Sequence, residues 1–141
     1  MEFLSFLASA WLAVLPAGAA DVTAPNPGDF GSTMRFGGRE RSYLVHVPIA
    51  FKYGRPLPLV VVLHGGGGSA AGAVAMTRMN EAADKHGFLA VYPEGSGPPG
   101  GGLLVWNAGE CCGYAYERKV DDVGFIRGLI KWLKATRSIC L

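Results

Sequence analysis

Residues 59–63 read Leu-Val-Val-Val-Leu, and the chain runs straight from them into His64-Gly65-Gly66-Gly67-Gly68-Ser69. An unbroken apolar run has no polar face to offer water, so it suits a strand covered on both sides, as in a parallel sheet. We expect it to be the central strand. A helix is expected over 73–86, where Met76, Met79, Ala83 and His86 fall on one face and Arg78, Glu81, Asp84 and Lys85 on the others. Gly87 supplies its C-terminal stop. Phe88 to Tyr92 is a second apolar strand, ended by Pro93. Strand, Gly-rich turn, helix and strand within 59–92 make a βαβ unit, which requires a parallel pair and a right-handed crossover. The fold class is therefore α/β.

Upstream, Tyr43, Val45 and Val47 alternate with Ser42, Leu44 and His46, a strand with one well-buried face that Pro48 stops. On this pattern His46 points outward. Residues 21–34, rich in Pro, Gly, Asp and Thr, carry no periodic signal and read as an extended leader, a linker or an edge. Downstream, 93–119 is a long Gly-rich loop. Asp121 is placed to cap a helix whose apolar stripe, from Phe125 to Leu133, runs to about Lys134. Asp122 adds negative charge at the positive end of that helix dipole. Gly124 and Gly128 each cost about 1 kcal/mol against Ala, which close approach of the helix to a sheet would offset.

At 141 residues, half of them hydrophobic, the chain has the length for one domain with a core. The first twenty residues stand apart. Phe3 to Leu15 is a short apolar run, followed by Pro16 and Ala17-Gly18-Ala19-Ala20, the layout of a secretory signal with a small-residue cleavage site, although the segment before the run carries Glu2 and no Lys or Arg. The run falls short of the roughly 18 residues that suggest a spanning helix. We expect 1–20 to be a signal peptide and 21–141 a secreted or periplasmic domain with no membrane contact after cleavage. A formal charge of +2, with basic residues scattered rather than gathered, argues against a nucleic-acid partner. Export permits disulfides, and the cysteines are Cys111, Cys112 and Cys140. They read as one or two bridges stapling the long loop, or as a single bridge to Cys140 with a spare thiol. Adjacent Cys111 and Cys112 do not match the spaced pairs of a zinc site, and neither metal nor cofactor is implied.

The Gly run sits where a buried strand ends and a helix begins, the place where open α/β sheets bind ligands. Successive glycines let backbone N–H groups turn inward, and such donors can stabilise the oxyanion of an ester transition state; a His-Gly-Gly-Gly run after a third strand is the esterase form of this device. Gly65, Gly66 and Gly67 are the candidate donors. Gly65-x-Gly67-x-x-Ala70 also satisfies a loose dinucleotide pattern, with Glu94 at the end of the next strand, so a non-catalytic module binding a nucleotide or anion is the rival reading. Ser69 is one residue away from a G-x-S-x-G nucleophile, but is more simply the N-cap of the helix. No G-x-S-x-G occurs in the chain, and the spacing of His46, His64 and His86 supports no Ser-His-acid triad.

Taken together, Tyr43 to Pro48, Leu59 to Ser69, Ala82 to Gly95, Trp106-Asn107-Ala108-Gly109, Cys111-Cys112-Gly113 and Val120 to Ile126 resemble the secreted polyhydroxybutyrate depolymerase and feruloyl esterase family of α/β-hydrolases. The likeness covers roughly residues 35–135, and the motifs stand in the family's order. It implies the N-terminal part of an α/β-hydrolase fold, with about four strands and two helices. His64, Gly65 and Gly66 would form the oxyanion loop, and His64, Trp106 and Asn107 would lie near a polyester or plant cell-wall phenolic ester substrate. It also implies that the helix from Asp121 leads to a strand carrying the serine elbow, followed later by the catalytic Asp and His. Here the sequence departs from the family, reading Arg137-Ser138-Ile139-Cys140-Leu141 where the nucleophile strand is expected. We therefore expect the oxyanion loop without the triad, little esterase activity from this chain alone, and an uncovered Val60-Val61-Val62 edge that makes it poorly soluble.

Overall fold

Phe30, Met34 and Phe36 recur at even spacing, and all three pack against the buried core while the odd-numbered residues between them stay exposed. That period of two makes β1 (Gly28–Phe36) a nine-residue strand. It corrects the reading of this stretch as lacking periodicity, because Asp29, Gly31, Thr33 and Arg35 occupy the solvated face, and it bears out the alternative of an edge, since β1 is an outer strand of the sheet among the described residues. The computed structural model describes residues 27–135, so the expected signal at 1–20 and Cys140 lie outside the described residues.

Gly37 and Gly38, at φ of +56° and +74°, turn the chain back into β2 (Arg39–Val47), as a two-residue hairpin turn of this hand requires. After β3 (Leu59–Val61) come two helices, α1 (Ala70–Thr77) and α2 (Met79–His86), and then β4 (Leu89–Pro93). The long loop holds a short helix, α3 (Gly113–Glu117), and leads to α4 (Asp122–Ala135). The sheet order is β1-β2-β4-β3. β1 and β4 both run antiparallel to β2, whereas β3 and β4 are parallel, so the expected βαβ unit is present within a mixed sheet. The chain is a small α/β fold. No helix among the described residues is long and apolar enough to cross a membrane.

Strand alternation sorts the core into two layers. Tyr43, Val45, Val47, Leu89 and Val91 meet Phe125, Leu129 and Leu133 of α4 on one face. Val62, Ala90 and Tyr92 meet Ala70, Ala73 and Ala83 of α1 and α2 on the other. Three expectations need correction. β3 is the outer strand among the described residues, half-buried rather than central. The helix expected over 73–86 starts at Ala70 and breaks at Arg78, which takes a left-handed φ of 52°. The break rotates α1 out of register with α2, so Met76 is 85% exposed and small alanines face the sheet instead. His46 is buried, because α2 covers the face of β2 that alternation alone assigned to solvent.

Asp121 caps α4 as expected, accepting from the Gly124 N–H at 2.8 Å. A Cβ on Gly124 would collide with that carboxylate, whereas one on Gly128 would touch the Phe36 ring of β1 at 3.3 Å. Only Gly128 serves the expected approach of helix to sheet.

Candidate functional site

β3 delivers the chain into the Gly loop, and Ser69 closes the loop by accepting from the Gly72 N–H at 3.0 Å, the N-cap of α1. His64 is only 6% exposed. Its Nε2 accepts from the Gly95 N–H at 3.0 Å. An amide N–H can only donate, so the ring proton sits on Nδ1, which donates to the Gly65 carbonyl at 2.8 Å. Both nitrogens are spent on backbone, and His64 is a strut rather than a free base. The contact needs a glycine at 95, where a Cβ would lie 2.8 Å from the Val105 carbonyl oxygen and 3.1 Å from the imidazole.

Trp106 supports the same residue, its indole N–H donating to the His64 carbonyl at 2.9 Å and its ring centred 5.1 Å from the imidazole. Asn107 is tied to the scaffold: its side-chain amide donates to the Val120 carbonyl at 2.9 Å and its N–H to Asp122 Oδ2 at 2.7 Å. The structure therefore brings His64 and Trp106 together and places Asn107 against α4.

The three candidate donors divide. The Gly67 N–H, at a φ of +77°, donates to the Leu104 carbonyl at 2.8 Å, which removes it from the expected oxyanion set. Gly68 likewise donates to the Gly65 carbonyl at 2.9 Å. The N–H groups of Gly65 and Gly66 have no hydrogen-bond partner among the described residues. A cavity of about 320 Å³ lies against the loop and α1, bounded by Leu63, Gly65, Gly66, Met76 and Thr77.

A buried ion pair holds this assembly in place. Arg41 and Asp122, 4% and 5% exposed, meet at 2.7 Å. The same guanidinium nitrogen donates to the Glu94 carbonyl at 3.0 Å, and the guanidinium lies 3.9 Å from the centre of the Phe125 ring. Glu94 Oε1 in turn accepts from the Ala70 N–H at the start of α1, at 3.0 Å. Its Oε2 lies 3.5 Å from His64 Nε2 without a hydrogen bond, since the lone pair of that nitrogen is already engaged by Gly95. The chain Asn107–Asp122–Arg41–Glu94 thus clamps the Gly loop from behind. Sequence reasoning missed it, although one signal was there: Arg41 stands two residues before Tyr43 on the buried face of β2.

A second polar cluster occupies the opposite face and opposite end of β2. His46 Nδ1 contacts Asp29 Oδ1 at 2.6 Å, and Nε2 contacts Asp84 Oδ1 at 3.1 Å. Asn80 donates to Asp29 and accepts from the Tyr92 hydroxyl at 2.6 Å. The Ile49 N–H and, to a smaller degree, His46 hold the Asp84 carboxyl below its ordinary range. Burial first, and the Asp29 carboxylate second, push the Tyr92 hydroxyl up to about 12. The cluster joins β1, β2, β4 and α2, a structural role.

Cys111 and Cys112 are disulfide-bonded to each other. This corrects the expectation of a staple across the long loop, since the bond closes on adjacent residues. No protein-family model matches the chain, and no curated protein matches it.

Proposed function

We propose that the chain is the N-terminal portion of a secreted serine ester hydrolase, with the Gly loop as its oxyanion loop and a polyester or plant cell-wall phenolic ester as substrate. The observation that carries this is the pair of unpartnered N–H groups at Gly65 and Gly66, on a loop clamped by His64, Trp106 and Glu94, facing a cavity. Donors fixed before the reaction stabilise a developing oxyanion without reorganising at the moment of charge transfer. The sheet order β1-β2-β4-β3 supports the reading, because the α/β-hydrolase sheet begins 1-2-4-3 before its fifth strand. The dinucleotide alternative is weakened by Gly67, whose N–H is committed to Leu104, and by Glu94, whose carboxylate caps α1 where a ribose-binding acid would stand free.

The described residues supply the donors and no triad, so the purified 141-residue chain is expected to turn over little or no p-nitrophenyl butyrate. Turnover accompanied by a serine-inhibitor adduct on this chain would overturn that expectation. The ester-hydrolase reading is tested by translating the DNA beyond codon 141 in three frames. It predicts a G-x-S-x-G within about thirty codons; its absence in every frame, together with saturable quenching of tryptophan fluorescence by NAD, would replace it with the binding-module reading.

A further inference from the structure

We propose that the cleft between the β1–β2 turn and the start of α4 is a binding site for a phosphate dianion. The cleft measures about 220 Å³ and is lined by Arg39, Arg41, Arg118, Lys119 and Asp121. Like charges so close repel one another, and proteins ordinarily separate them or interleave acids. Here only Arg41 is matched by an acid, Asp122. Among the described residues, Arg39, Arg118 and Lys119 form no ion pair, and the Asp121 carboxylate is turned to the Gly124 N–H as a helix cap.

The cations are held in position. Arg39 donates to the Tyr114 hydroxyl at 3.1 Å, and the Arg39 and Arg118 guanidiniums lie 5.6 and 5.9 Å from the centre of the same Tyr114 ring. Lys119 occupies a left-handed φ of 47°, a conformation that non-glycine residues adopt only where their surroundings impose it. Arg41 forms the buried end of the wall, 4% exposed, with Nη2 engaged by Asp122 and by the Glu94 carbonyl. The Arg118 guanidinium has no hydrogen-bond partner among the described residues and Arg39 uses one nitrogen on Tyr114, so the cleft presents N–H groups that no protein acceptor takes up, the donor chemistry that an oxyanion satisfies. Four cations set against Asp121 and Asp122 leave two positive charges in excess, which a dianion neutralises.

The site is separate from the Gly loop, so its test does not depend on the ester-hydrolase reading. Thermal unfolding of the full chain is followed by tryptophan fluorescence in inorganic phosphate and in chloride at matched pH and ionic strength. Phosphate also stabilises folded proteins by exclusion from their surface, so the comparison with variants is the readout. The wild-type midpoint is expected to rise saturably by about 4 °C or more over the chloride value. The double variant Arg118→Gln/Lys119→Asn removes two charges at exposed positions while keeping a residue that tolerates the left-handed backbone, and it is expected to lose most of that rise. Arg127→Gln, on the exposed side of α4, is expected to keep it. A wild-type rise that fails to saturate, or an equal rise in the double variant, overturns the proposal.

Discussion

His64 and His46 are buried to nearly the same degree, 6% and 7% exposed, yet their neighbours put them to opposite uses. His64 faces one backbone donor and one backbone acceptor, which a neutral ring in a single tautomer satisfies completely. His46 faces a carboxylate oxygen at each nitrogen, Asp29 on β1 and Asp84 on α2. The first fixes the path of a loop. The second is one member of a side-chain cluster that joins strands to α2. Burial alone therefore says little about what a histidine does; the kind of atom at each nitrogen decides it.

The sharpest way to separate the two regions is to remove charge behind the Gly loop. Asp122→Ala strands Arg41 in the core and is expected to cost about 3–5 kcal/mol in urea unfolding. The double variant Arg41→Met/Asp122→Leu is expected to cost clearly less, and an equal loss would show that the orphaned charge is not the cause. Next in size is Gly95→Ala, which crowds the Val105 carbonyl and the His64 ring and is expected to cost about 1–3 kcal/mol with a change in Trp106 emission. Unchanged stability and emission would mean that the His64 strut tolerates displacement.

At the other cluster, Tyr92→Phe is expected to cost about 1 kcal/mol at neutral pH through the lost bond to Asn80. The folded state raises the Tyr92 hydroxyl to about 12, so it binds that proton more tightly than the unfolded chain does. The associated stability is complete below the unfolded value near 10 and drains as pH rises towards 12. Equilibrium unfolding between pH 9 and pH 12 should therefore fall less steeply in the variant. The smallest effect is expected from Asp84→Asn, whose amide oxygen can still accept from the Ile49 N–H. Because Asp84 is held below its ordinary range, its contribution is present above the unfolded value near 4 and is lost as pH falls through the lower folded value. The variant should converge on the wild type in acid, and a gap that persists at pH 2 would contradict that assignment.

The parallel pair, the Gly87 stop and the Asp121 cap were legible because each rests on local chemistry: an apolar run, a residue free to turn left-handed, a carboxylate three residues before an N–H. β1 was legible in principle from Phe30, Met34 and Phe36, but its polar face masked the period. The helix break at Arg78 has no local marker, since arginine ordinarily continues a helix. The Arg41–Asp122 pair spans 81 positions, and nothing near either residue announces the other. At the candidate site, the Gly loop was readable as a donor loop. Which of its N–H groups stay open depends on Leu104, some forty residues away.

The crossover from β3 to β4 is jointed twice, at the Gly loop and at Arg78. Between the joints α1 rests on the sheet through Ala70 and Ala73, side chains too small to interlock, while α2 is pinned by Asn80 and Asp84. The crossover is therefore held unevenly: the first turn of α1 is tied to Glu94 and its last turn has only small apolar contacts, whereas α2 is fixed by side-chain hydrogen bonds. Amide hydrogen exchange should report this as faster opening across residues 73–77 than across 82–86, a division of one connection into a loosely held part and a pinned part.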